Sequence, residues 1–269
     1  MPLDRTRGTM LPLLLPGETL ASFLRRPKLY LRLRYRLRLL LWTLQGTQDE
    51  PEWYLLKWLV DPDRAAIDVG ANYGAYAGRL AALTRRVHCF EPFPAAAECL
   101  IARLPPSVIV HQAAASDHAG EARLAVPLRA DGTPAVVAAS IAADNLQLQN
   151  RPVQTVACRL VRLDDVVHEP VGFMKIDVEG HELAVLRGAT RILQEHRPIL
   201  LIESVRHLHA EAPGNIFGFL TDRGYEGIFL FAGQLISIRA FDLAIHQRIN
   251  ADGGLAHPYA WNFIFLPGR

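Results

Sequence analysis

The segment Ala66–Tyr76 constrains the fold of this chain more than any other. It reads AIDVGANYGAY, an apolar run that ends in an acidic residue and is followed by two glycines four positions apart. This pattern predicts a β-strand that enters a tight turn and then a helix, because glycine adopts turn conformations that other residues avoid. Gly70 and Gly74 carry no Cβ, and the first N–H groups of a helix have no partner within it. The turn is therefore typical of a site where backbone meets a nucleoside-like ligand.

A second acidic residue, Glu91, ends the next apolar run and lies 21 residues after Gly70. In Rossmann-like sheets, a carboxylate at about this distance accepts hydrogen bonds from the ribose hydroxyls of the ligand. The dehydrogenase fingerprint requires G-x-G-x-x-G, but Asn72 and Ala75 occupy its second and third glycine positions. The dehydrogenase interpretation is therefore weak, and a purely structural strand-turn-helix unit is the other alternative.

Strands and helices alternate along most of the chain. The sequence predicts strands at about 65–69, 87–91, 108–114, 172–177 and 198–203, and helices at about 52–60, 74–84, 94–103, 181–196 and 215–223. This alternation predicts an α/β fold in which helices cover both faces of a parallel sheet. Additional antiparallel strands are predicted at 121–126, 153–158, 227–238 and 261–266. The long stretch 127–151 is typical of a lid or binding loop.

The charge distribution divides the chain into a basic N-terminal extension, residues 1–50, and a catalytic domain, residues 51–269. Residues 1–40 carry nine basic and two acidic groups, a charge of +7, so the remaining 20 basic and 25 acidic groups give −5. Residues 31–39 alternate Arg with Leu or Tyr, and we expect a helix there although the alternation also fits a strand. The extension is expected either to contact an anionic membrane surface or to pack its leucines on the domain.

Cysteine content and hydropathy bear on location. The three cysteines form no C-x-x-C pair, so neither disulfides nor cysteine-bound metal are expected. No apolar stretch reaches the ~18 residues needed to span a bilayer, and Leu11–Leu15 is too short for a signal-peptide core. The expected location is the cytoplasm, with peripheral membrane contact through residues 1–50 as an open alternative.

Six segments together resemble a known family. They read IDVGANYGAYAGRL, VHCFEPFPAAAECL, HQAAASDHAGEARL, RLDDVV, FMKIDVEGHELAVLRGATRIL and PILLIES. In this order they are similar to the FkbM family of S-adenosylmethionine-dependent methyltransferases. The resemblance runs from about Glu52 to the C-terminal NFIFLP. It implies a Rossmann-like class I methyltransferase fold with a mostly parallel, seven-stranded sheet, and methylation of a hydroxyl group.

The resemblance also implies S-adenosylmethionine as cofactor. The amino-acid end of this donor suits the carboxylate of Asp68 and the turn, and its ribose suits Glu91 as a bidentate acceptor. Ser116 and Asp117 match the adenine-binding segment of the family, where an Asp can accept a hydrogen bond from the adenine amine; a capped turn is the alternative. The predicted cofactor-binding residues are Asp68, Gly70, Asn72, Gly74, Glu91, Ser116 and Asp117.

Catalytic residues are predicted where the fourth parallel strand ends. His181 titrates near neutrality and takes the hydroxyl proton, while Asp177 orients His181 or the hydroxyl. Lys175 contacts substrate or pairs with a carboxylate, and Glu179 is the weakest candidate. The alternative is that Glu179 and its neighbours only cap the helix. Asp177, Glu179 and His181 also suit Mg²⁺ or Mn²⁺ as ligands, although no metal is predicted.

The sequence favours an O-methyltransferase whose acceptor is a hydroxyl of a sugar, glycolipid or secondary metabolite. The alternative is a non-catalytic nucleoside-binding module anchored to an anionic membrane or glycolipid. Nucleic acid is not expected as a partner, because the chain beyond the extension is acidic. Two further clusters are not assigned to the active site. Asp164 and Asp165 are expected to cap a helix, and Glu203, His207 and His209 are expected to be solvated.

Overall fold

A computed structural model describes residues 50–142, 145–146, 148, 152–206, 208, 211–251 and 254–268. Apart from Glu50, the predicted basic extension, with its helix and its membrane contact, lies outside the described residues. Within the described ranges, no helix combines the length and apolarity that crossing a membrane requires.

Eleven strands form two sheets. In chain order they are β1 (Ala65–Val69), β2 (Val87–Phe90), β3 (Val108–His111), β4 (Ala114–Ala115), β5 (Gly120–Pro127), β6 (Val153–Val161), β7 (Val171–Ile176), β8 (Ile199–Glu203), β9 (Tyr225–Phe231), β10 (Gln234–Ser237) and β11 (Asn262–Pro267). The main sheet has eight strands in the order β3-β2-β1-β7-β8-β11-β9-β10, and the small sheet has the order β4-β6-β5. In the main sheet, β3, β2, β1, β7 and β8 run parallel to one another. Strand β11 runs antiparallel to β8 and β9, and β10 runs antiparallel to β9.

The mostly parallel sheet is confirmed, but its predicted count of seven strands is wrong by one edge strand. The predicted run 227–238 is a hairpin, β9 and β10, rather than one strand. Ala232 and Gly233 connect them with φ values of 49° and 75°. Two consecutive positive φ values fit the tight turns that match the twist of paired strands. The sequence lacks the usual Asn-Gly or Asp-Gly signal here, so the turn was not predicted.

Seven α-helices cover the main sheet within the described ranges. They are α1 (Leu56–Leu59), α2 (Ala75–Ala81), α3 (Pro94–Arg103), α4 (Leu163–Val166), α5 (Glu182–Arg187), α6 (Gly214–Thr221) and α7 (Leu243–His246). Short 3₁₀ turns span Pro51–Tyr54, Val136–Ala138 and Ile238–Ala240, and a π turn spans Ile192–His196. One apolar core packs α5 and α6 on the face of Ile67 and Val69. A second core packs α1, α2 and α3 on the opposite face.

The single helix predicted over 181–196 is interrupted at Gly188. A Cβ on this residue would lie 1.9 Å from the carbonyl oxygen of Ser116. The segment that contains Ser116 therefore packs directly against Gly188. Helix α5 ends just before this contact, and the π turn follows it. Asp164 accepts hydrogen bonds from the N–H groups of Arg191 (2.8 Å) and Ile192 (3.0 Å) at the start of the π turn. Helix α4, in which Asp164 and Asp165 lie, has no side-chain cap.

The small sheet stands beside the carboxyl edge of the main sheet. Its strands β5 and β6 pair antiparallel from Gly120 opposite Leu160 to Pro127 opposite Val153, as the sequence predicts. Its apolar side chains form a separate core that includes Phe93, which follows β2. Ser140 pairs with Ala125 of β5, so the segment after β5 returns along the small sheet toward the main one.

Candidate active site

An open cleft of about 630 Å³ lies at the carboxyl ends of β1, β2 and β7. This is the edge where open α/β sheets place their ligands. The cleft lining includes Val69, Gly70 and Asn72 after β1; Phe90, Glu91 and Pro92 at the end of β2; Ala114 and Ala115 of β4; Leu124 of β5; and Val136, Val137, Ala139, Ser140 and Ile141. Asp177, Val178, Glu179 and His181 complete it.

The turn after β1 depends on glycine for two reasons. Gly70 has a φ of +78°, and a Cβ there would lie 1.8 Å from the carbonyl oxygen of Asp177. The missing Cβ therefore lets the turns after β1 and β7 touch, in addition to exposing backbone to the cleft. Gly74 precedes α2 with a φ of +88°, and a Cβ there would lie 2.8 Å from Leu100. Gly74 lies behind the cleft lining and shapes the turn.

Glu91 is the anchor of the cleft wall at β2. Its carboxylate accepts hydrogen bonds from the N–H groups of Asn72 (2.7 Å) and Phe93 (2.8 Å). Burial raises the pKa of Glu91, and the two N–H groups oppose that change. Each carboxylate oxygen has a second lone pair, so Glu91 can still accept two further hydrogen bonds from a ligand.

Two buried oxygen atoms beside Glu91 have no hydrogen-bond partner in the described part of the chain. They are Oδ2 of Asp68 and Oδ1 of Asn72. Asn72 adopts a positive φ of 49°, which asparagine tolerates better than most residues. Burial raises the pKa of Asp68 to about 7, although the ammonium group of Lys175 lowers it. Unsatisfied buried acceptors are costly, so this corner is prepared for a ligand that donates hydrogen bonds.

Lys175 lies behind the cleft rather than in it. Its side chain is 1% exposed, and Nζ lies 3.5 Å from Oδ2 of Asp177 and 3.3 Å from Oδ1 of Asn262. Burial alone lowers the pKa of Lys175, but the carboxylates of Asp177, Glu203 and others outweigh burial and raise it. The lysine is therefore charged and fixed against the Asp177 carboxylate.

Sheet register explains why polar groups from distant segments meet at Lys175. Lys175 pairs with Asp68 on one side and with Leu201 on the other. Glu203 is two residues beyond Leu201 and therefore points to the same face, where it pairs with Asn262 of β11. The amide of Asn262 also donates to Glu50 at 3.1 Å. The tyrosine hydroxyl of Tyr76 donates to the same carboxylate.

Sequence reasoning missed Glu50, Tyr76 and Asn262, and its account of Glu203 as a solvated residue is wrong. Burial and the nearby Asp177 raise the pKa of Glu203 well above its ordinary value. One signal was present: Glu203 ends an apolar strand, as Glu91 does. The neighbouring residues His207 and His209 lie outside the described residues.

Asp177, Glu179 and His181 all line the cleft opposite the small sheet. Glu179 and Gly180 have positive φ values of 54° and 100°. Ser140 Oγ and Asn145 Nδ2 donate to the backbone carbonyl of Glu179 at 2.7 and 2.6 Å. These two bonds fix the strained turn and attach the segment after β5 to it. Burial and the neighbouring Asp177 raise the pKa of Glu179 to about 9, so this carboxyl is mainly protonated at neutral pH.

The predicted adenine-binding residues lie beside the cleft lining. Ser116 is fully buried, and its Oγ lies 3.0 Å from Nε2 of His181. Asp117 is exposed and contacts His118 at 2.6 Å. Ala114 and Ala115, which precede them, line the cleft instead. The adenine contacts of Ser116 and Asp117 therefore stay a prediction.

Six of the eleven residues predicted from the sequence line one cleft: Gly70, Asn72, Glu91, Asp177, Glu179 and His181. Asp68, Gly74 and Lys175 support this lining from behind. Within the described ranges, no three His, Cys, Asp or Glu side chains are grouped so as to hold a metal ion.

The buried carboxyl of Glu182 should make stability depend on pH. Burial raises the pKa of Glu182 to about 7 from 4.5, so the folded state binds more protons than the unfolded state between these values. Stability contributed by the protonated form is therefore lost as pH rises from about 4.5 to 7, by at most ~1.4 kcal/mol per pH unit. Glu182→Gln stays neutral and should show a shallower decline of the free energy of unfolding between pH 5 and 7.

Urea unfolding at several pH values measures this slope. Glu98 is exposed on α3, so Glu98→Gln is the matched control and should keep the wild-type slope. An equal slope in the Glu182→Gln variant and the wild type would show that Glu182 does not contribute to the pH dependence of stability.

The strand order, with one reversed strand between β8 and β9, and the glycine turn and Glu91 at the carboxyl edge define a class I methyltransferase. The sequence profile of the Methyltransferase FkbM domain matches residues 68–226, which is more than half of the 269 residues. The chain belongs to the FkbM methyltransferase family.

Several solved structures are similar to this chain at low sequence identity. A methyltransferase FkbM from Methylobacillus flagellatus KT is 14% identical with a TM-score of 0.49, over 91% of this chain and 60% of that one. An rRNA methylase from Streptococcus thermophilus is 12% identical with a TM-score of 0.47, over 82% of this chain and 98% of that one. The putative methyltransferase SMU.1697c from Streptococcus mutans, in complex with SAH, is 13% identical with a TM-score of 0.44, over 80% of this chain and 95% of that one. Sequence comparison with curated proteins gave no match.

Proposed function

We propose that this protein transfers a methyl group from S-adenosylmethionine to a hydroxyl of a sugar, glycolipid or secondary metabolite. The observation that carries the proposal is the composition of the cleft. It places Gly70, Asn72 and Glu91 on one side and Asp177, Glu179 and His181 on the other. This arrangement supports a donor site and a site for proton removal within one cavity.

The residues of the first side fit the donor. Asp68 Oδ2 and Asn72 Oδ1 are buried acceptors that lack a partner within the described residues, and they suit the ammonium group of an amino acid. The remaining lone pairs of Glu91 suit two ribose hydroxyls. When bound, S-adenosylmethionine supplies an electrophilic methyl group on a positively charged sulfur. A positive charge near Asp68 would also draw its raised pKa back down.

The residues of the second side are proposed to handle the acceptor. Asp177 orients the hydroxyl, and Lys175 holds the Asp177 carboxylate from behind at 3.5 Å. His181 takes the proton, because a neutral imidazole is a competent base near neutral pH. Ser116 Oγ, 3.0 Å from Nε2, fixes the imidazole ring. Glu179 is mainly protonated at neutral pH because its pKa is about 9, so it suits hydrogen-bond donation better than proton removal.

A non-catalytic nucleoside-binding module on an anionic membrane is the second candidate. The charge of +7 in residues 1–40 favours this alternative. This alternative does not account for the ion pair between the buried Lys175 and Asp177 in the cleft lining, because donor binding alone does not require an oriented carboxylate there.

Incubation with methyl-labelled donor separates the two candidates. The full-length protein is mixed with glycan, lipid and polyketide fractions, and label is followed into each. Methyl transfer predicts label in at least one fraction, which is lost on boiling the protein. The binding-module alternative predicts donor binding without transfer, together with sedimentation on anionic vesicles at low salt and release at high salt.

A further inference from the structure

We propose that the acceptor is an uncharged molecule that carries its hydroxyl on a largely apolar body, and that phosphate-bearing acceptors are rejected. This inference rests on the proposed methyl transfer and names the substrate class of the same cleft. Three features of the described residues carry it: the absence of cationic side chains from the cleft lining, the occupied N–H groups of the turn after β7, and an exposed aliphatic wall.

The first feature is the charge of the lining. Among the described residues that line the cleft, none is Lys or Arg, and Asp177, on the side proposed for the acceptor, is acidic. Behind the lining, Lys175 is 1% exposed and already contacts Asp177 and Asn262. Proteins usually bind phosphate through arginine forks or lysine. Within the described part of the lining, a phosphate placed beside Asp177 meets a carboxylate and no compensating cation.

The second feature is the state of the N–H groups near Asp177. Backbone N–H groups in a turn before a helix often bind phosphate. Here the N–H of Gly180 donates to Oε1 of Glu182 at 2.8 Å. The carboxylate of Glu182 therefore occupies the position that an anion would take, and it repels a second anion.

The third feature is the wall that faces Asp177 and Glu179. Its side chains Val136, Val137 and Ile141 are aliphatic, and Val137 is 59% exposed. The wall is firmly attached: Ser140 exchanges two backbone hydrogen bonds with Ala125, at 2.9 and 3.0 Å. The Ser140 hydroxyl donates to the Glu179 carbonyl at 2.7 Å. Fixed aliphatic surface in a ligand cleft is suited to an acceptor with an apolar body rather than to a nucleic acid.

Binding of two matched probes tests this inference. n-Hexyl β-D-glucopyranoside and n-hexyl phosphate share the alkyl chain and differ in the charge of the head group. Full-length protein is first saturated with S-adenosylhomocysteine, and each probe is titrated at pH 8, where an ordinary imidazole is neutral. We expect the glucoside to bind and the phosphate to bind at least tenfold more weakly.

A substitution in the wall provides the second measurement. Val137→Asp should weaken glucoside binding at least tenfold, and the affinity for S-adenosylhomocysteine, measured in parallel, should fall by a smaller factor. Val153 is 39% exposed on β6 and lies outside the cleft lining, so Val153→Asp is the matched control and should bind like the wild type. Equal binding of the two probes, binding of neither, or an unaffected Val137→Asp variant overturns the proposal. Failure to bind S-adenosylhomocysteine at all overturns the proposed function instead.

Discussion

Gly70→Ala should destabilise the protein by about 3 kcal/mol or more. The new Cβ would lie 1.8 Å from the carbonyl oxygen of Asp177 at a φ of +78°, so the turns after β1 and β7 must separate. A left-handed conformation costs a non-glycine residue roughly 1–2 kcal/mol, and overpacking adds ~1–3 kcal/mol. Urea unfolding gives the free energy of unfolding. Because both turns line the cleft, donor affinity should fall in the same variant.

Gly132→Ala separates the two contributions. Gly132 has nearly the same φ, +79°, but no atom lies within 4 Å of its Cβ position. This variant should lose only the conformational contribution, roughly 1–2 kcal/mol. Equal losses in the two variants would show that contact between the turns contributes nothing.

Asp177→Asn should slow methyl transfer about 10²-fold, because the acceptor hydroxyl loses the carboxylate that orients it and misplacement of a reacting group costs about that much. Asparagine keeps the shape of the side chain but removes the charge that faces Lys175 and the acceptor hydroxyl. Single-turnover transfer to the fraction that accepts label measures the rate. Affinity for S-adenosylhomocysteine should change little, since donor binding is assigned to the opposite side of the cleft.

The control for this substitution is Asp165→Asn, at a carboxylate whose side chain is 55% exposed. It should transfer methyl groups at the wild-type rate. If the Asp177→Asn variant also keeps that rate, Asp177 has no role in the reaction. A loss of stability without a loss of rate per folded molecule would instead support a purely structural role for the carboxylate.

Local sequence patterns predicted the strand, turn and helix that form the proposed donor side of the cleft. The strand over 65–69 and the helix over 94–103 match β1 and α3 residue by residue. The turn between β1 and α2 was predicted because the positions of glycine report local backbone conformation. Glu91 was predicted from its spacing after Gly70, and it lies in the cleft with Asn72.

The network around Lys175 could not be predicted in this way. Asn262 and Glu50 are 212 residues apart in the chain, and their hydrogen bond depends on the order of strands in the sheet. Glu203 was interpreted as solvated because its neighbours His207 and His209 suggest a surface loop. Its actual environment follows from register across β7, β8 and β11, which local periodicity does not determine. The interruption at Gly188 has the same origin, a contact with the distant Ser116.

Titration calorimetry with S-adenosylhomocysteine tests the central claim most directly. We predict one binding site per chain and no binding of NAD. Glu91→Ala should weaken binding at least tenfold, because charge-assisted hydrogen bonds contribute ~1.5–3 kcal/mol each. Glu98→Ala, at an exposed glutamate of α3, should bind like the wild type. Absence of S-adenosylhomocysteine binding, or an unchanged affinity in a folded Glu91→Ala variant, would contradict the account.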